Sequence, residues 1–181
     1  MALGPGLGIH PFNNSMARLQ IPQVWDADAL NQLAVRGADW LAEAPTRFFT
    51  PHPGEAARLL GVATQAVQAD RAQAAQNIAQ RYRCICILKG HQTLISNGRR
   101  LAQCNLGNPG MATGGMGDVL TGILAALLAQ GMAPWQAACF GVCLHARAGD
   151  LAAQKVGQTS LMARDVIEAL PQALLEPKFG H

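Results

Sequence analysis

The sequence predicts an α/β fold in which helices cover a largely parallel sheet, and three observations carry that prediction. Segments of strand character alternate with segments of helix character along most of the chain, the order that layered α/β folds require. One strand segment, Cys84-Ile85-Cys86-Ile87-Leu88, is apolar on both faces, as an interior strand of a covered parallel sheet must be. Half of the 181 residues are apolar and only 14% are charged, so one packed domain over 1–181 is easily built and a disordered chain is excluded.

Met1-Ala2-Leu3 runs straight into Gly4-Pro5-Gly6-Leu7-Gly8, a loop of the kind that comes after a strand, so the chain is read as starting at the end of an element whose body is missing. Val24-Trp25 is a short strand end, and Asp28 is read as the N-cap of a helix over about 29–34. Residues 47–50 form another short strand, stopped by Pro51. Pro53-Gly54-Glu55 opens a helix that Gly61 ends after Leu60. Thr64 can cap a long helix over 65–82, in which Val67, Ala74, Ile78 and Tyr82 fall near helical spacing. Residues 92–96 and 100–104 flank Asn97-Gly98, a strong hairpin signal. A Gly-rich loop covers 107–117, and Asp118 then leads a helix to residue 130. Its large apolar residues at 119, 120, 123, 124, 127 and 128 share one helical face. Pro134 suits the first position of a further long helix whose end Lys155 and Gly157 mark, and a short helix over about 164–170 comes last.

The formal net charge is +3 and the basic residues are scattered, with no run longer than Arg99-Arg100, which argues against nucleic acid as a partner. The five cysteines are odd in number and form no CxxC pair; with no signal peptide ahead of them they are read as reduced thiols of a cytoplasmic protein. The longest apolar run, over 119–129, is interrupted by Thr121 and Gly122 and falls short of the roughly 20 residues a membrane span needs.

The chemistry concentrates in Asn105-Leu106-Gly107-Asn108-Pro109-Gly110-Met111-Ala112-Thr113-Gly114-Gly115-Met116-Gly117-Asp118. Gly114, Gly115 and Gly117 let the backbone approach a ligand closely and aim several N–H groups one way. A strongly helical segment comes directly after, and its unpaired N–H groups and dipole favour an anion there. The carboxylate of Asp118 would repel a phosphate, unless its task is to take the proton from a hydroxyl that attacks one. That reading requires Asp118 to lie beside the glycine cradle, before a cavity. The plainer alternative is that Asp118 caps the helix and the glycines make a tight turn.

Other phosphate motifs fail. No Gly-Lys pair occurs, so a P-loop is excluded; Gly4-Pro5-Gly6-Leu7-Gly8 is not GxGxxG in either register, and no GxSxG elbow occurs. Cys139 and Cys143 stand four apart with His145 nearby, but they lie in an apolar helix without a second ligand pair and read as buried small residues. Trp25, Trp40 and Trp135 are too far apart in sequence to suggest a stacking platform.

The segment GNPGMATGGMGDVLTG closely resembles the anion hole of ribokinase-like enzymes, in particular the ADP- or ATP-dependent NAD(P)H-hydrate dehydratases. Four further segments match that family in order: GPGLG at 4–8, DADALN at 26–31, TPHPGE at 50–55 and LKGHQT at 88–93. The resemblance covers nearly the whole chain and implies a three-layer α/β/α domain that lacks its N-terminal part. It makes Asp118 the catalytic carboxylate, in contact with the hydrated nicotinamide, and Gly117 a contact of the nucleotide phosphates. Lys89, Gly90, His91, Gln92 and Thr93 would line the adenine-nucleotide site, and His52 and Gly6 would meet the hydrated cofactor. Each has a plainer alternative: a strand-end lysine for Lys89, a rigid turn between prolines for His52, a loop glycine for Gly6. Glu55 either organises Mg²⁺ through water or favours the helix N-terminus, and no residue is assigned as a direct metal ligand. The implied reaction is repair of the S-hydrates of NADH and NADPH with ADP, or else ATP, and Mg²⁺, by a homo-oligomer. A small-molecule kinase of the same fold and an inactive nucleotide-binding fragment are the alternatives.

Overall fold

The computed structural model describes residues 1–8, 14–41 and 43–175. Strands β1 (Ala2–Leu3), β2 (Gln23–Trp25), β3 (Arg47–Phe49), β4 (Ile85–Leu88), β5 (Thr93–Ser96) and β6 (Leu101–Cys104) form one six-stranded sheet whose spatial order is the order of sequence. The first four are parallel, with Ala2 opposite Val24, Val24 opposite Phe48 and Phe48 opposite Ile85. The last two return antiparallel as the hairpin that Asn97-Gly98 predicts. Asn97 Oδ1 closes its turn by accepting from the N–H groups of Arg99 and Arg100 at 3.0 and 2.7 Å.

The helices are α1 (Asn14–Ala17), α2 (Ala27–Arg36), α3 (Pro53–Leu60), α4 (Thr64–Ala69), α5 (Arg71–Tyr82), α6 (Met116–Ala129), α7 (Pro134–Val156) and α8 (Ala163–Leu175). Side chains alternate across a strand, so neighbouring residues feed opposite layers. Val24, Phe48, Ile87 and Ile95 pack against α6, α7 and α8. Trp25, Phe49, Cys86, Leu88 and Leu94 pack on the other face, against α2 to α5. The sheet is therefore covered on both sides, as the ribokinase-like expectation required, and this double cover accounts for the two-faced apolar character of β4. Among the described residues no helix is long and apolar enough to cross a membrane.

Several boundaries differ from the sequence expectation. α2 starts at Ala27 with Asp26 as its N-cap residue, and Asp28 lies in the first turn instead of capping. Asp28 Oδ2 instead accepts the Gly8 N–H at 2.8 Å, so a tertiary contact took the carboxylate from the cap. The long helix expected over 65–82 is two helices, because Asp70 leaves helical geometry and its side chain caps α5 by accepting from Gln73 N–H at 2.9 Å. Ala63, not Thr64, stands at the N-cap of α4. Cys84, Gln92 and Arg100 fall outside their expected strands; Gln92 has a left-handed φ of 54°. α8 is longer than expected and continues through Pro171.

Candidate active site

Parallel strands deliver their succeeding loops to one edge of the sheet, and here the backbone ties those strand ends together. Asp26 N–H donates to Leu3 carbonyl at 2.9 Å, Thr50 N–H to Trp25 carbonyl at 3.1 Å, and Lys89 N–H to Pro51 carbonyl at 2.8 Å. The segments GPGLG, DADALN, TPHPGE and LKGHQT thus emerge side by side, at the strand C-termini where open α/β sheets bind ligands.

At their centre lies an ion pair that the sequence did not single out. Lys89 Nζ stands 2.6 Å from Asp26 Oδ1, with the Asp26 side chain 2% exposed and that of Lys89 22%. The hydroxyl of Thr121, buried on α6, donates to Asp26 Oδ2 at 3.1 Å. Gly117, one turn earlier on the same helix face, packs so closely that a Cβ there would come within 3.2 Å of both Asp26 Oδ2 and Lys89 Nζ. A side chain at this position would push the pair away from α6 by a few tenths of an ångström. The signal was present as opposite charges just after two strands, Asp26 after β2 and Lys89 after β4. What joins them is the strand order, which the residues alone do not state.

α6 begins at Met116, with Gly115 at its N-cap in left-handed geometry (φ 84°) and no side-chain cap. A helix of this length with an uncapped first turn presents N–H donors and the positive end of its dipole. Lys89 adds a cation to the same spot. Asp118 does not lead the helix; it occupies the first turn, directly beside Gly117. Its side chain is exposed on the turn that comes after the glycine cradle. One cavity of about 550 Å³ lies among Asp39, Glu43, Arg47, Arg81 and Arg83. Another of about 350 Å³ lies behind the Gly-rich loop, among Asn108, Arg147, Asp150 and Gln158.

The other expected site residues surround this centre. His52 is the N-cap of α3 and accepts from Gly54 N–H at 3.0 Å through Nδ1, while Glu55 Oε2 accepts the His52 N–H at 2.8 Å. This reciprocal box occupies both side chains and gives Glu55 the helix-terminus role. Gly6 is exposed with a φ of 73° and open space where a Cβ would stand. Gly90, His91 and Gln92 are exposed, and Thr93 Oγ1 donates to Gly90 carbonyl at 3.1 Å. Gly114 is exposed with open space beside it.

No group of three or more His, Cys, Asp or Glu among the described residues could hold a metal ion, which applies to Cys139, Cys143 and His145 as well. No all-protein cage for Mg²⁺ stands among the described residues, and of the nearby carboxylates Asp26 is engaged by Lys89 and Thr121, and Glu55 by the box. Cys104 and Cys143 share a hydrogen bond that, as the largest cause, lowers the Cys104 thiol to about 7 and raises that of Cys143. His145 lies under the start of α6. Desolvation lowers its pKa to about 4, against a backbone hydrogen bond at Met116 and together with the charge of Lys89. Trp25 and Trp40, distant in sequence, meet edge to face with centroids 6.0 Å apart, a core contact and not a platform.

Comparison with known proteins gives the family and the fold. The chain is 47% identical over 178 residues to the bifunctional NAD(P)H-hydrate repair enzyme of Vibrio cholerae, covering 96% of this chain and 35% of that protein. It is 42% identical over 159 residues to the ADP-dependent (S)-NAD(P)H-hydrate dehydratase of Neisseria meningitidis, covering 82% of this chain and 51% of that one. The crystal structure of the ADP/ATP-dependent NAD(P)H-hydrate dehydratase of Bacillus subtilis, co-crystallised with ATP/Mg²⁺, superposes with a TM-score of 0.84 at 30% identity, over 99% of this chain and 64% of that chain. The chain thus spans about a third of the length of the bifunctional relatives. A family model described as Carb_kinase, NAD(P)H-hydrate dehydratase, matches residues 1–172, and the chain belongs to that family.

Proposed function

We propose that this chain carries the nucleotide-dependent dehydration of the S-hydrates of NADH and NADPH. The observation that carries the reading is the meeting of Gly117, Lys89 and Asp26 at the uncapped start of α6, with Asp118 next in sequence. A terminal phosphoryl group of ADP, or of ATP, fits between the N–H groups of 114–117 and the Lys89 ammonium. Asp118 takes the proton of the ring hydroxyl as its oxygen attacks phosphorus and the shorter nucleotide leaves. The ring nitrogen's electron pair then expels the phosphate, and loss of a neighbouring C–H proton restores the dihydronicotinamide. Hydroxide is a poor leaving group near neutral pH, and phosphate is a good one, which is why the nucleotide is consumed. Lys89 to Thr93 would take the nucleotide, and Gly6 and His52 the hydrate. Mg²⁺ would arrive with the nucleotide phosphates, which ask for few protein ligands.

The test is an assay of the chain on hydrated NADH with Mg²⁺ and either ADP or ATP, monitored by the return of reduced-nicotinamide absorbance. Because the base is exposed, turnover is the decisive measurement. Recovery dependent on nucleotide supports the reading; nucleotide binding without recovery returns the chain to a binding fragment. The cytoplasm suits the described free thiols. A homo-oligomer is part of the same reading, supported by the exposed Met162, Ile167 and Leu174 at α8 and measured by light scattering.

A further inference from the structure

The segment assigned above to the nucleotide is held by a side chain which that assignment leaves out. Arg71, the first residue of α5, sends its guanidinium to the C-terminal end of β4. Nη2 donates to the carbonyls of Leu88 and Lys89 at 3.2 and 3.3 Å, and Nη1 donates to the carbonyl of His91. Gly90 lies between them with a φ of 135°, and a Cβ there would come within 3.1 Å of Arg71 Nη2. Nε is buried and has no partner among the described residues, so these carbonyls are what hold the group. Desolvation lowers the guanidinium's pKa, but an arginine stays charged throughout the working range.

The contact has two physical consequences. Carbonyl oxygens carry partial negative charge, and three of them facing a phosphate site would weaken it; here they face a cation. A trans peptide also points its N–H opposite to its C=O. Drawing the Lys89 and His91 carbonyls onto Arg71 therefore turns the N–H groups of Gly90 and Gln92 the other way, at exposed positions. We propose that Arg71 is a positioning residue for the nucleotide, gathering the carbonyls of Leu88, Lys89 and His91 so that the 89–93 segment offers N–H donors, and not acceptors, to a nucleoside di- or triphosphate. The inference rests on the nucleotide reading of that segment.

The test compares the unsubstituted protein with Arg71→Gln and Arg71→Lys. Titration calorimetry with ADP and with ATP is run beside kinetics on hydrated NADH and thermal unfolding. Arg71→Gln is expected to raise nucleotide Kd and KM by about tenfold or more, the scale of one charge-assisted contact. kcat at saturating nucleotide and KM for the hydrate should stay within about threefold. Arg71→Lys should recover only part of the loss, because a point charge cannot span three carbonyls. Should Arg71→Gln not fold, Arg71→Lys carries the test, because it keeps the charge and loses the planar fork, and a nucleotide Kd raised by about threefold or more with kcat held supports the inference. Nucleotide affinity unchanged in folded Arg71→Gln, or in Arg71→Lys should Arg71→Gln not fold, whatever the melting temperature, overturns the inference alone. No nucleotide binding by the unsubstituted protein overturns the reading of the segment and the inference with it.

Discussion

Asp118 comes next after Gly117 and the Lys89 ammonium packs against it, yet their substitutions should separate cleanly. Asp118→Asn should abolish turnover and largely spare nucleotide binding, since an exposed first-turn carboxylate supports no packing; undiminished turnover would remove it from the mechanism. Lys89→Met leaves Asp26 buried without its cation, so it should cost about 3 kcal/mol in urea unfolding as well as nucleotide affinity. His145 carries a pH prediction. Its folded pKa of about 4 lies below the ordinary 6.5, so the unfolded chain takes up the proton first as the pH falls. Stability is full above about pH 6.5 and falls by about 3 kcal/mol towards pH 4. Denaturant midpoints measured across that window should decline less steeply in His145→Gln. Asp118 and Lys89 were legible as residues because strand-end and glycine-loop chemistry is local. Asp26 was not, because the cap role was read onto Asp28 and nothing local shows that another strand brings a lysine to Asp26.

The helices show how local rules and tertiary demands divide the work. α3 obeys its local signals: Pro53 at its start, the His52–Glu55 box and Gly61 in left-handed geometry at its end. His52→Ala should therefore lower stability by on the order of 1 kcal/mol, read as a shift of the thermal midpoint, while Asn retains the cap. If His52 also meets the hydrate, His52→Asn will keep that stability and raise KM for the hydrate. α6 is the opposite case. Its start lacks a side-chain cap, and its apolar face is set by contact with α7, where Gly141 receives Leu124 and Leu127. A Cβ at Gly141 would come within 2.8 Å of Leu124, so Gly141→Ala should destabilise by about 1 kcal/mol, overpacking of about 2 kcal/mol set against about 1 kcal/mol of helix propensity.

At the scale of the molecule, one sheet serves two helical layers, and adjacent residues of β3 answer to different ones. Phe48 is buried against α6 to α8, Phe49 against α2 to α5. Alanine at either position should cost about 4 kcal/mol. Trp25 reports from one layer and Trp135 from the other, so tryptophan fluorescence and far-ultraviolet circular dichroism should still give one coincident transition in both variants. The alternation of strands and helices, the hairpin at Asn97-Gly98, the glycine cradle before a helix and the family those motifs resemble could all be read from the residues alone. Each depends on residues close along the chain, where steric limits, turn geometry and periodicity act directly. The pairing of Asp26 with Lys89, the hold of Asp28 on Gly8 and the gathering of carbonyls by Arg71 at the end of β4 came into view with the fold. Those contacts join residues 63, 20 and 17 to 20 positions apart; the first two exist because parallel pairing sets strand ends side by side, the third because α5 packs back along β4 with its first residue at that strand's end. No short-range preference of the residues encodes that arrangement.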